Sequence, residues 1–308
     1  MKVLIAYDGS DCSEAAIDDL RAAGLPPTGE AVVVSVAEVW LPPKNGEDTV
    51  LDPYLESLLA EMRQKSEDAL REAEQMAERG RERVSVALPG WNVRSEATYG
   101  SPAWEILNKA EALDTDLIVI GSHGYGLVNR FLLGSISQKV MTEARCSVRV
   151  ARGKVEVEPA PIRIAVGFDM SQGAERCIES IAARTWPEGT EVRLVAVVDP
   201  VFPTPIGRFV PAARQAAEQI NENERKLIED VAARATDKLK AAGVSSELVI
   251  LTGNPKSRIV DDAEYWRADT IFVGANAYGS RFERFIMGST SAAVAARASC
   301  TVEVVRAK

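Results

Sequence analysis

A chain of 308 residues has room for two domains of about 150 residues each, and a composition that is 46% hydrophobic and 26% charged is that of a folded globular protein. The formal net charge of −9, with nearly all the acidic excess inside residues 1–152, excludes the concentrated basic face that a nucleic-acid partner needs. No apolar run approaches the roughly 20 residues of a membrane span, and Val3–Tyr7 is too short for a secretory leader. The expected compartment is the cytoplasm, with no membrane partner.

Taken in chain order, Lys2–Tyr7 reads as an apolar strand that ends against Asp8, and a helix follows near Ser13–Ala23. Ala31–Ala37 is the second strand and leads into a loop around Pro42–Pro53. Apolar residues at helical spacing predict a long helix over Leu55–Arg79. The alternating charges of Glu61–Arg83 mark its solvated face. Strand Val93–Thr98, helix Pro102–Ala112, strand Leu117–Ile120, helix Ser135–Glu143 and strand Val148–Ala151 complete the half. Gly100-Ser101-Pro102 is read as architecture, a helix cap followed by proline in the first turn. Apolar strands alternating with helices imply a parallel sheet covered on both faces, a doubly wound, Rossmann-like α/β domain.

The second half repeats the first. MKVLIAYD (Met1–Asp8) corresponds to IRIAVGFD (Ile162–Asp169), Gly100-Ser101-Pro102 to Gly253-Asn254-Pro255, and RCSVRVAR (Arg145–Arg152) to SCTVEVVR (Ser299–Arg306). Offsets are 161 for Asp8 and Val36, 153 for Gly100 and Gly121, and 154 for Gly134 and Cys146. One deletion and one inserted residue therefore separate the copies. The expected organisation is a domain at 1–152, a Pro-containing linker at 153–161 and a second domain at 162–308, with a longer helix near Pro211–Ala242.

Ligands of such sheets sit beyond the carboxyl ends of the strands. There the chain reads Gly121-Ser122-His123-Gly124, nine residues, then Gly134-Ser135. Glycines admit close backbone approach and positive φ, Ser135 and Ser137 add hydroxyls, and a helix N-terminus adds partial positive charge. Together they form an anion cradle that needs little basic charge. It is neither a Walker A loop nor a G-x-G-x-x-G opening the first helix. The four cysteines, widely spaced and accompanied by a single histidine, are read as buried thiols without a zinc site.

With the duplicated landmarks, residues 121–135 resemble the universal stress protein family, whose ATP-binding members carry Gly-x2-Gly-x9-Gly-Ser/Thr after the fourth strand. The resemblance covers nearly the whole chain and implies a five-stranded parallel sheet of order 3-2-1-4-5 in each domain. It also implies that Asp8 and Val36 meet the nucleoside, that Gly121, His123 and Gly124 approach ribose and phosphates, and that Gly134, Ser135, Ile136 and Ser137 hold the phosphate chain. The ligand it implies is ATP, or ADP or AMP, with Mg or Mn riding on the phosphates rather than on protein side chains. In the second copy Asp169, Val197, Gly274, Gly288, Ser289 and Ser291 survive, but Ala277 replaces a glycine and one extra residue precedes Gly288, so a weaker site is expected there. Family members pair through their last strands. Val148–Ala151 and Val302–Val305 are therefore expected to pair within one chain, and two chains to associate further.

Asp8 has a second reading as a turn cap. His123 is read as a ligand contact, and Arg130 as a solvated loop residue. Trp40, Tyr54 and Phe202–Phe209 either cover the nucleotide or join the domains. The function expected is a non-enzymatic, nucleotide-dependent regulator. The alternatives are a slow ATPase or nucleotidyl or phosphoryl transferase, and a non-binding dimerisation scaffold.

Overall fold

In the computed structural model of the chain, residues 1–39, 52–124, 133–152, 161–202, 210–275 and 287–307 are described. The chain divides into two compact units, Met1–Arg21 with Pro26–Arg152, and Ala22–Leu25 with Gly153–Lys308. The first unit holds β1 (Lys2–Ala6), α1 (Asp11–Asp19), β2 (Glu30–Ala37), α2 (Pro53–Ala87), β3 (Asn92–Tyr99), α3 (Pro102–Ala112), β4 (Leu117–Gly121), α4 (Ser135–Glu143) and β5 (Ser147–Ala151). The second holds β6 (Arg163–Gly167), α5 (Gln172–Ala182), β7 (Glu191–Val198), α6 (Pro211–Ala241), β8 (Ser245–Thr252), α7 (Pro255–Trp266), β9 (Thr270–Gly274), α8 (Ser289–Arg297) and β10 (Thr301–Val305). Strands within each unit run parallel in the order β3-β2-β1-β4-β5 and β8-β7-β6-β9-β10. This is the doubly wound order 3-2-1-4-5, realised twice. Among the described residues no helix is long and apolar enough to cross a membrane. The 153–161 linker lies outside the described residues apart from Pro161.

Coverage by helices on both faces explains the unbroken apolar runs. Leu4, Ile5, Leu117, Ile118 and Val119 are all 0% exposed although neighbours in a strand point to opposite faces. Burying each such side chain contributes about 1.5–3 kcal/mol. The edge strands β3 and β8, flanked on one side only, show exposed and half-buried residues instead.

Two buried charges interrupt the apolar pattern. Arg149 in β5 is 0% exposed and donates to Asp19 at the end of α1, with Nη2 to Oδ1 at 3.2 Å. The equivalent residue of β10, 154 positions later, is Glu303, also 0% exposed, which accepts from Arg184 just after α5, with Nη1 to Oε2 at 2.9 Å. Each ion pair braces a unit, with the charges exchanged between copies.

The predicted helices of α3 and α4 have the observed bounds. α2 runs to Ala87, past the predicted stop at Arg79, because Gly80 does not end it. A Cβ on Gly80 would stand 2.8 Å from the Tyr7 ring and from Val33, so this glycine lets the helix lie close on the sheet. α1 starts two residues earlier than expected, capped by Ser10, whose Oγ accepts from the Ser13 N–H. Gly100 (φ +132) and Gly253 (φ +127) precede the Pro-initiated helices α3 and α7 in a conformation that L side chains rarely adopt.

Candidate functional site

Strand order reverses between β1 and β4, and the carboxyl ends there open a crevice. In the first unit it is a cavity of about 390 Å³, inside the range of roughly 300–1,000 Å³ typical of small-molecule sites. All nine residues singled out in the first copy (Asp8, Val36, Gly121, His123, Gly124, Gly134, Ser135, Ile136 and Ser137) line it.

Asp8 meets its turn-cap reading with one carboxylate oxygen and faces the cavity with the other. Its Oδ1 accepts from the Ser10 N–H at 3.0 Å and from Ser10 Oγ at 2.6 Å, which closes the turn into α1. Its Oδ2 faces Gly124, where a Cβ would come within 2.8 Å of that oxygen. One carboxylate oxygen is therefore structural and the other is turned to the cavity.

Val36 contributes through its main chain. Tyr7 N–H donates to Val34 O at 2.9 Å and Gly100 N–H to Ala37 O at 3.0 Å. Strand alternation then turns the N–H and C=O of Val36 to the β1 side. β1 has already ended at Ala6, opposite Val34, so these groups meet the crevice rather than a neighbouring strand.

The glycine loop works differently from the expectation of positive-φ glycines presenting amides. None of Gly121, Gly124 and Gly134 has φ in the left-handed region. A Cβ on Gly121 would stand 2.7 Å from the Cys12 carbonyl, so this glycine makes room for the start of α1, not for a ligand. Gly134 N–H donates to Ser122 O at 2.7 Å, and a Cβ there would meet His123 Cα at 3.1 Å. Gly134 thus closes the loop, and its amide proton is not offered to a phosphate. Ser137 is corrected in the same way: it is 3% exposed, and its hydroxyl donates to Gly121 O at 2.7 Å, tying α4 to the end of β4. Ser291 makes the same bond to Gly274 O at 2.7 Å.

What α4 does present is its N-terminus. The cap residue Gly134 has no side-chain cap bond, and the first helical bond is Gln138 N–H to Gly134 O. The amides of Ser135, Ile136 and Ser137 therefore have no intrahelical acceptor and carry the partial positive charge of the helix end. This is the feature suited to an anion.

His123 lines the cavity and its ring is engaged behind it, with Nε2 3.4 Å from Cys12 Sγ and Nδ1 3.0 Å from Ser122 Oγ. Sequence reasoning missed the apolar wall, Val34 with Pro102 and Ile106 of α3, because cavity-lining apolar residues look like core. It also missed Tyr7, whose hydroxyl donates to Glu14; burial first, and that bond second, push its pKa up to about 12. The reading of all four cysteines as buried fails for Cys12 and Cys300, which are half-buried. Arg130, Trp40 and residues 203–209 lie outside the described residues. Tyr54 and Phe202 are strongly exposed and do not line the cavity.

The second unit repeats the crevice at about 150 Å³, lined among others by Asp169, Val197, Gly274, Gly288 and Ser291. Ser289 is exposed and does not line it; Thr290 does, at the position of Ile136. Asp169 Oδ1 accepts from the Ser171 N–H at 3.1 Å. Ala277 lies outside the described residues. Among the described residues no group of three or more His, Cys, Asp or Glu is placed to hold a metal ion.

Comparison with known proteins follows this geometry. The sequence model of the Universal stress protein family matches residues 1–152 and again 162–306. A Thermus aquaticus universal stress protein is 35% identical over 150 residues, 49% of this chain and 97% of its own length. Universal stress protein YxiE of Bacillus subtilis is 31% identical over 157 residues, 49% of this chain and 98% of its own. A universal stress protein structure from Archaeoglobus fulgidus aligns over 99% of this chain and 96% of its own, with a TM-score of 0.57 and 23% identity, which is a likeness of fold.

Proposed function

The chain belongs to the universal stress protein family, in two consecutive copies with a stress-response role, and on that premise we propose that it is a cytoplasmic, non-enzymatic regulator whose first copy binds ATP. The observation that carries this reading is the first cavity. One end offers the Asp8 carboxylate and the Val36 main chain, and the other offers the uncapped amides of α4. A carboxylate oxygen accepts from ribose hydroxyls or an exocyclic amine. The N–H and C=O of Val36 suit the edge of a base, and Val34 and Ile106 form an apolar wall for its face. The amides of Ser135, Ile136 and Ser137 suit phosphate oxygens without a lysine. The residues present therefore fit an adenine nucleotide. Bound there, the nucleotide supplies a charged phosphate chain whose length distinguishes ATP from its products. Mg²⁺ or Mn²⁺ would be held by phosphate oxygens and water, since among the described residues no group of three or more His, Cys, Asp or Glu is placed to hold a metal. All four cysteines are thiols, which suits a reducing compartment.

The non-enzymatic part rests on the lining. Phosphoryl transfer uses a placed base, a cationic clamp and metal-binding carboxylates. Among the described residues neither lysine nor arginine lines the cavity. The second copy is proposed to bind more weakly, on the strength of its smaller cavity.

Two assays on the purified full chain test this. Mass spectrometry of the small molecules released on denaturation should find an adenine nucleotide; none at all favours a plain scaffold. Multi-turnover hydrolysis of MgATP should stay at background, and robust turnover abolished by Gly124→Asp would replace the regulator with an ATPase.

A further inference from the structure

Cys12, the second residue of α1, lies 111 residues from the chain's single histidine, His123, yet the two side chains meet behind the cavity wall that His123 lines, with Sγ 3.4 Å from Nε2. Nδ1 of the same ring lies 3.0 Å from Ser122 Oγ, and Ser122 Oγ donates to Cys12 Sγ at 3.9 Å. With the Ser122 proton on the sulfur side, Nδ1–H donates to Ser122 Oγ, and Nε2 is left as the acceptor facing the thiol. A thiol with an imidazole acceptor in reach, itself oriented by a third group, is the arrangement of an activated sulfur nucleophile. The second unit lacks it, since Gly173 occupies the position equivalent to Cys12. Cys177 shows the opposite condition: burial pushes its thiol pKa up, away from reactivity.

We propose that Cys12 is a modification site, a thiol oxidised by hydrogen peroxide with His123 as its base, and that its modification controls occupancy of the first cavity. The thiol proton passes to His123 Nε2 as a sulfur lone pair attacks one peroxide oxygen. The O–O bond breaks, an S–O bond forms, and the departing hydroxide takes the proton from the imidazolium and leaves as water. Sulfur is oxidised to the sulfenic acid and the peroxide is reduced. Glutathione then condenses with the sulfenic acid, forming an S–S bond and releasing a second water. Modification removes the S–H that donates across the 3.4 Å contact, which releases the ring to move. His123 lines the cavity, and its Cα packs against Gly134 at the start of α4, so that movement reaches the ligand-binding wall. Control of occupancy rests on the nucleotide reading of the cavity; the reactivity of Cys12 does not.

The test treats the full chain with hydrogen peroxide in the presence of dimedone, which traps sulfenic acids, and maps the label by peptide mass. Cys12 should be labelled at least about tenfold more than Cys300, the other half-buried cysteine, and His123→Gln should lower the Cys12 label by about tenfold or more with the Cys300 label unchanged. Protein glutathionylated at Cys12 should bind ATP about tenfold more weakly, whereas Cys12→Ser should keep its affinity after peroxide and glutathione. Equal labelling of the two cysteines, or no effect of His123→Gln, overturns the pairing. Strong labelling with unchanged affinity overturns control of the cavity. If untreated protein binds no ATP, the nucleotide reading fails and control of occupancy falls with it, while the labelling contrast still decides the reactive pair.

Discussion

The two units share strand order, capped helices and a crevice in the same place, and they differ where that crevice is built. Tyr7, Gly9, Cys12 and Ile136 in the first copy are Phe168, Met170, Gly173 and Thr290 in the second. The frame that both keep is glycine against backbone and serine against carbonyl: Gly121 with Ser137, and Gly274 with Ser291. The lesson is that the shared motif residues hold the loop and helix together, whereas Tyr7 and Ile136, against Phe168 and Thr290, change the lining of the space they enclose. Even the buried charge of the last strand follows this rule, since Arg149 and Glu303 have opposite signs but each is paired within its own unit.

The largest effect that sharpens the comparison is expected at those ion pairs. Asp19→Ala leaves the Arg149 guanidinium buried without this partner and should cost about 3–5 kcal/mol, read as a lower urea midpoint. Glu303→Ala should do the same to the second unit through Arg184. A cost below about 1 kcal/mol at either site would mean that these pairs brace nothing.

Next come the close-packed glycines. Gly121→Ala drives a Cβ to 2.7 Å from the Cys12 backbone and Gly274→Ala to 2.4 Å from Gly173. Overpacking of this kind costs about 1–3 kcal/mol, with the larger loss expected at Gly274. Equal and negligible losses would show that the frame yields freely. A gain is expected at Met170, whose φ of +58 repeats the +76 of Gly9 but with a side chain attached. Met170→Gly should stabilise the protein by about 1 kcal/mol, measurable by thermal unfolding, and Gly9→Met should reverse the sign.

An effect confined to high pH separates Tyr7 from Phe168. The folded protein holds the Tyr7 proton to about pH 12, whereas an unfolded tyrosine releases it near 10. Stability from this group is therefore complete below pH 10 and declines as the pH rises toward 12. Tyr7→Phe should flatten that decline in a stability–pH profile; an unchanged slope would assign it elsewhere.

Much of this was legible in the sequence because its signals are local. Pro102 and Gly134 mark helix starts, and α3 and α4 begin where they predict, although Ser101 makes no side-chain cap bond. The repeat marked out two like domains, the family resemblance implied their strand order, and the nine residues it pointed to come from four segments to one cavity. What escaped is tertiary. The close approach of α2 to the sheet at Gly80 appears only once Tyr7 and Val33 are seen beneath it. The proton of Ser137 points to Gly121 O rather than to a ligand, and no spacing rule reports a hydrogen-bond direction. Cys12 and His123 carry no sequence signal at all as a pair.

The central claim is tested most directly by equilibrium dialysis of the full chain with radiolabelled MgATP, compared with Gly124→Asp, which sets a second carboxylate against Asp8 Oδ2. The account predicts one tightly bound nucleotide per chain, lost in the variant, with any further binding weaker. No binding, or occupancy that Gly124→Asp leaves untouched, would contradict it.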